Sequence, residues 1–233
     1  MVNIDTVYQR VLALANKEQR GYITPQEFNL FANQAQMDIF EQYFYDLNQF
    51  RRIPGNDTLH SDPLDILEEK IAIFHVSREI TKENSGFNLP SDYYRLMQVR
   101  AAHDEQMHVE VEKMTHREQL VAKNSPLTKA TLERPAYYIK GSKLIVLPNE
   151  VITLHVNYIK APKKANWTYV VVGENALVNP TEADGYQDFE LHPSEETKLV
   201  IKILGLAGIT LKDPALYQAA VAEDNKNIQQ EKQ

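Results

Sequence analysis

The chain has 233 residues, of which 43% are hydrophobic and 24% are charged, as in an ordinary globular protein with a buried core. It contains no cysteine, which excludes disulfides, thiolate metal sites and cysteine nucleophiles. The formal net charge of −7 argues against a surface that holds nucleic acid by neutralising phosphates. No apolar run reaches about 18 residues and the N-terminus does not resemble a signal peptide, so we expect synthesis in a cytoplasm and no membrane partner.

Helical periodicity predicts three helices in the N-terminal part of the chain. The first covers Asp5–Ala15. The second begins with the capping box Thr24-Pro25-Gln26-Glu27 and carries a wide apolar stripe rich in aromatic residues. The third begins at Asp62-Pro63 and reaches about Lys70. The next segment, Ile71–Ile80, fits the helical period and the strand period equally and is left open between them.

The middle of the chain is predicted to form strands. Tyr94–Ala102 and Met107–Glu112 are expected to pair around a polar turn, and Thr115–Ala122 is expected to be a capped helix. The strongest β signal lies in Glu133–Pro162, where β-branched and aromatic residues form three runs separated by short gaps. These runs are Ala136–Lys140, Lys143–Leu147 and Ile152–Lys160. We predict that they form a small antiparallel meander.

Two further helices are predicted near the C-terminal end, one starting at Pro193 and one covering Asp213 to about Asn227. The order of helices, strands and helices predicts an α+β fold, in which N- and C-terminal helices form a helical bundle with an inserted antiparallel β meander as a small β domain. The predicted domains are a discontinuous helical bundle of residues 1–70 and 191–233 and a β-rich inserted domain of residues 71–190.

One segment partly matches a calcium-binding EF-hand loop. In Asn16–Glu27, the residues Gly21, Ile23 and Glu27 stand at the turn, bridge and terminal ligand positions. However, Arg20 stands at a ligand position, where a guanidinium repels a cation. Helix capping explains the same residues, so it is the preferred interpretation.

Two acidic and histidine-containing clusters are candidates for chemistry. His103-Asp104-Glu105 with His108 resembles a metal or acid–base group, but the histidine spacing fits no helical ligand pair and the segment has the composition of a turn. A hydrolase site is conceivable from four residues before the penultimate helix, which are otherwise interpreted as turn residues and an acidic helix start: Asp184, Asp188, Glu190 and His192. No Gly-rich phosphate loop is present. The sequence therefore predicts no catalytic, cofactor-binding or metal-binding residue and no enzyme.

Neighbouring aromatic residues indicate surfaces that need cover. Tyr43, Phe44 and Tyr45 must point in different directions around a helix, so at least one is a candidate for contact with another subunit. Tyr93 and Tyr94 are neighbours in one predicted strand, and Tyr137 and Tyr138 are neighbours in another, so the two tyrosines of each pair point to opposite faces of their strand. Oligomerisation is the simplest way to cover both faces.

Four blocks, in order, resemble a known family. They are RGYITPQEFNLFANQAQMDIFEQYF (Arg20–Phe44), LPSDYYRLMQV (Leu89–Val99), the meander Glu133–Pro162 with its closing NYIKAP, and LHPSEETKLVIKILGLAGITLKDPALYQ (Leu191–Gln218). Together they resemble the head–tail connector proteins of tailed phages, and more narrowly the adaptor or ring proteins beneath the portal of short-tailed and crAss-like phages.

The resemblance implies a structural virion protein in the neck of the particle. Such proteins form a homo-oligomeric ring, usually a dodecamer, which contacts the portal protein and the tail or neck proteins and lets genomic DNA pass without sequence recognition. The family has no catalytic residues or cofactors to carry over. Two alternatives stay open: a non-enzymatic oligomeric binding or assembly module of cellular origin, and the hydrolase outlined above.

Overall fold

The computed structural model describes residues 1–17, 23–52, 61–83, 86–104, 107–125, 127–179 and 185–210, together with residues 218, 222 and 226. The chain divides into two compact units, each treated separately below. Unit 1 consists of Met1–Ile73 and Pro162–Gln233, and unit 2 consists of Phe74–Ala161.

Within the described residues there are five α-helices and ten β-strands. The helices are α1 (Ile4–Lys17), α2 (Pro25–Arg52), α3 (Ser61–Ala72), α4 (His116–Asn124) and α5 (Glu196–Thr210). The strands are β1 (His75–Glu83), β2 (Gly86–Asn88), β3 (Tyr93–Asp104), β4 (Met107–Glu110), β5 (Glu112–Lys113), β6 (Ala136–Lys140), β7 (Lys143–Leu147), β8 (Thr153–Lys160), β9 (Tyr169–Val172) and β10 (Asn175–Val178). No helix in this described part of the chain is both long and apolar enough to cross a bilayer.

The core of unit 1 lies where α5 packs against α1 and α2, while α3 packs against α2. The predicted apolar stripe of α2 supplies buried residues from Phe28 to Phe44 at helical spacing. Trp167 is also fully buried, and its ring lies 4.0 Å from that of Tyr8 on α1. The indole N–H donates to Asp5 Oδ1 over 3.0 Å, so the polar edge of this core residue is satisfied.

A row of side-chain amides on α2 holds the extended segment at residues 163–167. Asn29, Asn33 and Gln36 lie three or four residues apart and therefore share one face of the helix. Their amide nitrogens donate to the carbonyl oxygens of Trp167, Ala165 and Lys163 over 3.1, 2.8 and 2.7 Å. Asn29 Oδ1 also accepts from the Trp167 N–H over 2.8 Å. A side-chain amide can both donate and accept. This face of the helix therefore supplies hydrogen bonds to main-chain groups that a neighbouring strand would otherwise provide.

Unit 2 is built on an eight-stranded sheet with the strand order β4-β3-β8-β1-β2-β7-β6-β5. The two outermost strands are consecutive in the chain, and the change of partner occurs within two residues. Val111 N–H donates to Val99 O of β3 over 2.8 Å, whereas Glu112 N–H donates to Pro135 O, next to β6, over 2.9 Å. The continuous stretch at residues 107–113 thus leaves one end of the sheet and joins the other, which nearly closes the sheet on itself.

The buried faces of these strands form one apolar cluster. Its members are Phe87, Val99, Ala101, Val111, Tyr137, Leu144, Val146, Val151, Leu154, Val156 and Tyr158.

The predicted fold, a helical bundle with a small inserted meander, is wrong. The protein has a sheet-rich α+β fold whose main element is the nearly closed eight-stranded sheet. The three runs of the predicted meander are strands β6, β7 and β8, and the β6–β7 hairpin forms. However, β7 pairs with β2, and β8 pairs with β1 and β3. β1 pairs with β8 and β2 pairs with β7, so the β1–β2 pair lies between β7 and β8.

The structure decides one segment that the sequence had left open and confirms one predicted helix cap. The segment Ile71–Ile80 that the sequence left open divides into the end of α3 at Ala72 and the start of β1 at His75. The Thr115–Glu118 capping box starts α4. The predicted helix from Asp213 to about Asn227 falls almost entirely outside the described residues.

The paired tyrosines of β6 are covered within one chain. Tyr137 faces the apolar cluster of unit 2, and Tyr138 is buried on the opposite face. The Tyr138 hydroxyl accepts from Gln119 Nε2 of α4 over 2.9 Å, and its ring lies 6.0 Å from that of His116. Another subunit is therefore not needed to cover this pair, contrary to the sequence expectation.

Candidate functional site

Asp188, one of the four residues of the possible hydrolase site, anchors the N-terminus of α1. Its Oδ1 accepts from the Ile4 N–H over 2.9 Å and from the Tyr186 hydroxyl over 3.2 Å. Burial, and after it the Asp188 carboxylate, raise the pKa of Tyr186 from 10.0 to about 12. The Asp188 carboxylate thus satisfies a free N–H of a helix start, which is a structural role.

Glu190 and His192 have structural partners of their own. Glu190 is buried, and its Oε2 accepts from the Lys163 N–H over 3.0 Å. His192 caps the 3₁₀ turn at Pro193–Glu195, where its Nδ1 accepts from the Ser194 N–H over 3.3 Å. Asp184 lies outside the described residues. The three described residues of this candidate site therefore bind three different backbone segments of unit 1.

The described part of the calcium candidate forms a helix cap. Glu27 Oε2 accepts from the Thr24 N–H over 3.0 Å and from the Thr24 hydroxyl over 2.7 Å, and these hydrogen bonds lower the pKa of Glu27. The Glu27 N–H in turn donates to Thr24 Oγ1 over 3.3 Å. This arrangement is a capping box. The loop positions at Gly21 and Arg20 lie outside the described residues.

The histidine cluster around His103 and His108 lies where β3 and β4 meet, with Asp104 paired to Met107. Glu105 lies outside the described residues. Among the residues that the structure describes, no three histidine or acidic side chains are grouped so that they could hold a metal ion.

A groove opens in unit 2 at the point where the chain changes partner. We call it the β3 groove; its volume is about 580 Å³. Its lining comes from β3, from the stretch at 110–113 and from β6. The lining residues are Tyr93, Arg95, Leu96, Met97, Gln98, Val99, Glu110, Val111, Glu112, Lys113, Tyr137 and Ile139.

The β3 groove lies beside the ends of two strand pairings. β4 pairs with β3 from Arg100 to Asp104, and the residues of β3 that line the groove precede that pairing. β5 pairs with β6 at Ala136 and Tyr137, and Ile139 of β6 lines the groove beyond that pairing.

A second open element is the ribbon β9–β10 of unit 1, which we call the β9–β10 hairpin. Val172 pairs with Asn175 across the two-residue turn Gly173-Glu174, and Gly173 has a φ of 66°. A positive φ at the first turn position is what the preferred tight hairpin turns require, and glycine adopts it without steric cost. Within the described residues the ribbon consists of these two strands alone.

The β9–β10 hairpin exposes apolar side chains on both faces. Val170, Val171, Val172 and Leu177 are exposed by 43%, 62%, 59% and 54%. Val170 and Val172 share one face with Leu177, which pairs with Val170, while Val171 points to the other. An isolated two-stranded ribbon is marginally stable in water, so a partner on these faces would both cover the side chains and support the ribbon.

The sequence contains a local signal for this hairpin. From sequence, Trp167–Val172 is predicted to add a strand, and Gly173–Gln187 is interpreted as a loop or an irregular hairpin. YVVVGENALV places a β-branched run before Gly173-Glu174, followed by a second short apolar run. The β3 groove had no such signal, because it depends on where β4 and β5 change partners. On α2, Tyr43 and Phe44 are buried and Tyr45 is exposed, so the contact of Tyr45 with another subunit stays a prediction.

Comparison with known proteins gives no family for this chain. No protein-family model matches it, and no curated protein is significantly similar in sequence.

Proposed function

We propose that this protein is a structural subunit of the head–tail connector of a tailed phage, in which identical copies form a ring between portal and tail. The observation that carries the proposal is the β9–β10 hairpin, whose two strands expose three valines and a leucine. Exposed apolar surface of this kind is characteristic of a protein that associates with a partner. The order of the four sequence blocks supplies the particular family.

Two different surfaces of the chain favour a ring over a symmetric pair. The β9–β10 hairpin belongs to unit 1 and the β3 groove belongs to unit 2. When two different patches of the same chain serve as the two halves of a contact, each added copy presents a new free patch. Such contacts form a ring when the rotation between copies closes and an open filament when it does not, and the proposal requires closure. The proposed ring, in the resembling family usually a dodecamer, contacts the portal protein on one side and the tail or neck proteins on the other.

The charge of the chain is compatible with the passage of DNA. The chain has 32 acidic residues against 25 lysines and arginines, and the resulting net charge of −7 repels phosphates, so DNA could move past the subunits without being held. The described candidates for chemistry also support a structural role, because Asp188, Glu190 and His192 are engaged in main-chain contacts. The proposed location is therefore the neck of the virion.

Native mass spectrometry and negative-stain electron microscopy of the full chain test the proposal. The protein is measured alone, with portal protein, and with portal and tail proteins of a phage that encodes it. We expect rings of uniform copy number in at least one of these conditions and density for the chain at the neck of purified virions. A chain that stays monomeric in all three mixtures, or is absent from virions, would overturn the proposal.

A filter-binding measurement with duplex DNA provides an independent check. We expect no measurable retention at physiological salt, because the net negative charge of the chain opposes its association with the phosphate backbone. Tight binding at that salt concentration would contradict passive passage of DNA.

A further inference from the structure

We propose that helix α4 of one copy docks against helix α3 of a second copy, with a cation of α4 beside carboxylates of α3 and exposed apolar side chains of both helices in contact. The two helices belong to different units of the chain, α4 to unit 2 and α3 to unit 1. The inference rests on the proposed function, since it names a contact through which identical copies would join. The occupant of the α4 surface is therefore a second copy of this chain.

Helix α4 buries a polar side chain and exposes apolar ones. Gln119 is 5% exposed, and its amide donates to the Tyr138 hydroxyl of β6. Leu120 and Val121, the next two residues, are each 59% exposed. Arg117 is exposed three and four residues before them, so these three side chains lie together on the outer side of the helix. A helix usually buries its apolar residues, so the reverse orientation indicates a surface that a partner covers.

The segment that carries α4 is basic. Residues 113–134 contain five lysines and arginines and two acidic residues. One of these two, Glu118, is bound in the capping box with Thr115. Leu127, shortly after the helix, is 97% exposed. Because opposite charges face each other across protein interfaces, the partner expected for α4 combines an apolar side chain with carboxylates.

Helix α3 has this complementary composition. Its inner side includes Leu67 and Ile71, which are buried. Its outer side exposes Ile66 by 54%, and the exposed carboxylates of Asp65 and Glu69 lie beside it, four residues apart. An apolar side chain next to two carboxylates matches the apolar and basic side of α4.

The charges of the two units favour a second copy as the partner. Unit 1 has 13 lysines and arginines against 22 acidic residues, a net charge of −9, whereas unit 2 has 12 against 10, a net charge of +2. Two copies that met through unit 1 alone would repel each other, while unit 2 of one copy attracts unit 1 of the next. The proposed contact joins two different patches, as a ring requires.

The size of the contact explains why a ring would be needed. Helix α4 has 9 residues and α3 has 12. Such a helix pair buries less than the roughly 800 Å² per partner of a stable standard interface, so one contact alone is weak. Closure of a ring makes the last contacts intramolecular and raises the stability of the assembly without any new surface.

A charge-exchange experiment tests the pairing. The α4 variant is Arg117→Glu, the α3 variant is Glu69→Arg, and a double variant carries both changes. The matched controls are Arg78→Glu on β1 of unit 2 and Glu41→Arg on α2 of unit 1, which make the same changes of charge at exposed positions. Association is measured by sedimentation velocity over a range of concentrations, alone and with portal and tail proteins.

We expect each single variant to associate at least about tenfold more weakly than wild type, because like charges then face each other, and the controls to match wild type. The double variant is expected to regain most of the lost affinity, as is an equimolar mixture of the two single variants, since opposite charges meet again. Recovery by a second substitution cannot come from a misfolded chain, and far-ultraviolet circular dichroism verifies the fold of every variant.

The outcomes separate this inference from the proposed function. If wild type and both single variants form the same rings, the helix pairing is wrong and the ring stands. If the single variants are weakened and neither the double variant nor the mixture recovers, the helices bind other proteins and the pairing is wrong. If the double variant recovers but the chain is absent from purified virions, the pairing stands and the proposed function fails. If wild type stays monomeric with portal and tail proteins present, both fail.

Discussion

The ammonium group of Lys70 lies 2.6 Å from Oε1 of Glu195, whose side chain is only 2% exposed. The pair joins the last turn of α3 to the 3₁₀ turn before α5, two segments far apart in sequence within unit 1. Lys70 Nζ also lies 6.0 Å from the centre of the Tyr43 ring on α2. Both charges are largely removed from water, so each depends on the other for its stabilisation.

We expect Glu195→Gln to lower the free energy of unfolding by about 3 kcal/mol, because the substitution leaves the Lys70 ammonium largely buried without its counter-charge. Urea unfolding followed by circular dichroism measures the loss. The matched control is Arg10→Gln, which breaks the 2.8 Å pair with Glu196 at a side chain that is 55% exposed. That control is expected to cost less than about 1 kcal/mol. Equal losses in the two variants would show that burial does not matter here.

Asn29 is predicted to be the most important residue of the amide row on α2. Asn29→Ala removes the acceptor for the Trp167 N–H and the donor to the Trp167 carbonyl, both main-chain groups of a fully buried residue. The expected loss is about 2–3 kcal/mol in the free energy of unfolding. Gln34→Ala is the control on the same helix, where the exposed amide donates to Asp38, one turn away. Its expected cost is about 0.2–0.5 kcal/mol, and a comparable loss in both variants would contradict the proposed role of the row.

The raised pKa of Tyr186 predicts that the protein loses stability in alkaline solution. Its pKa is raised from 10.0 to about 12, first by burial and then by the Asp188 carboxylate. Because the folded-state pKa is higher than the unfolded-state pKa, the stabilisation is complete below pH 10 and is lost as the pH rises from 10 towards 12. The measurement compares urea midpoints of wild type and Tyr186→Phe at several pH values. The difference between the two proteins should change over that interval, and a constant difference would disprove the link.

Local structure was largely predictable from neighbouring residues. The capping boxes at Thr24 and Thr115 involve partners three residues away, so their sequence pattern determines where α2 and α4 begin. The turn at Gly141 was predictable for the same reason, since a glycine in the short gap between two β-prone runs favours a hairpin turn. The structure gives this glycine the positive φ that such turns require. The roles of Asp188 and Glu190, in contrast, could not be assigned from sequence, because their partners Ile4, Lys163 and Gln36 are distant in the chain.

Most helices and strands, and the absence of cysteine chemistry, could be inferred from the amino-acid sequence. The position of β1 and β2 between β7 and β8 emerges only in the folded chain, as does the change of sheet partner between Val111 and Glu112. The difference lies in the range of the interactions. A cap or a tight turn depends on a few adjacent residues, whereas strand pairing depends on which distant apolar faces are buried together, as where Ile80 pairs with Leu154 and both pack in the apolar cluster of unit 2. The β3 groove results from that strand pairing, so no local sequence pattern could predict it.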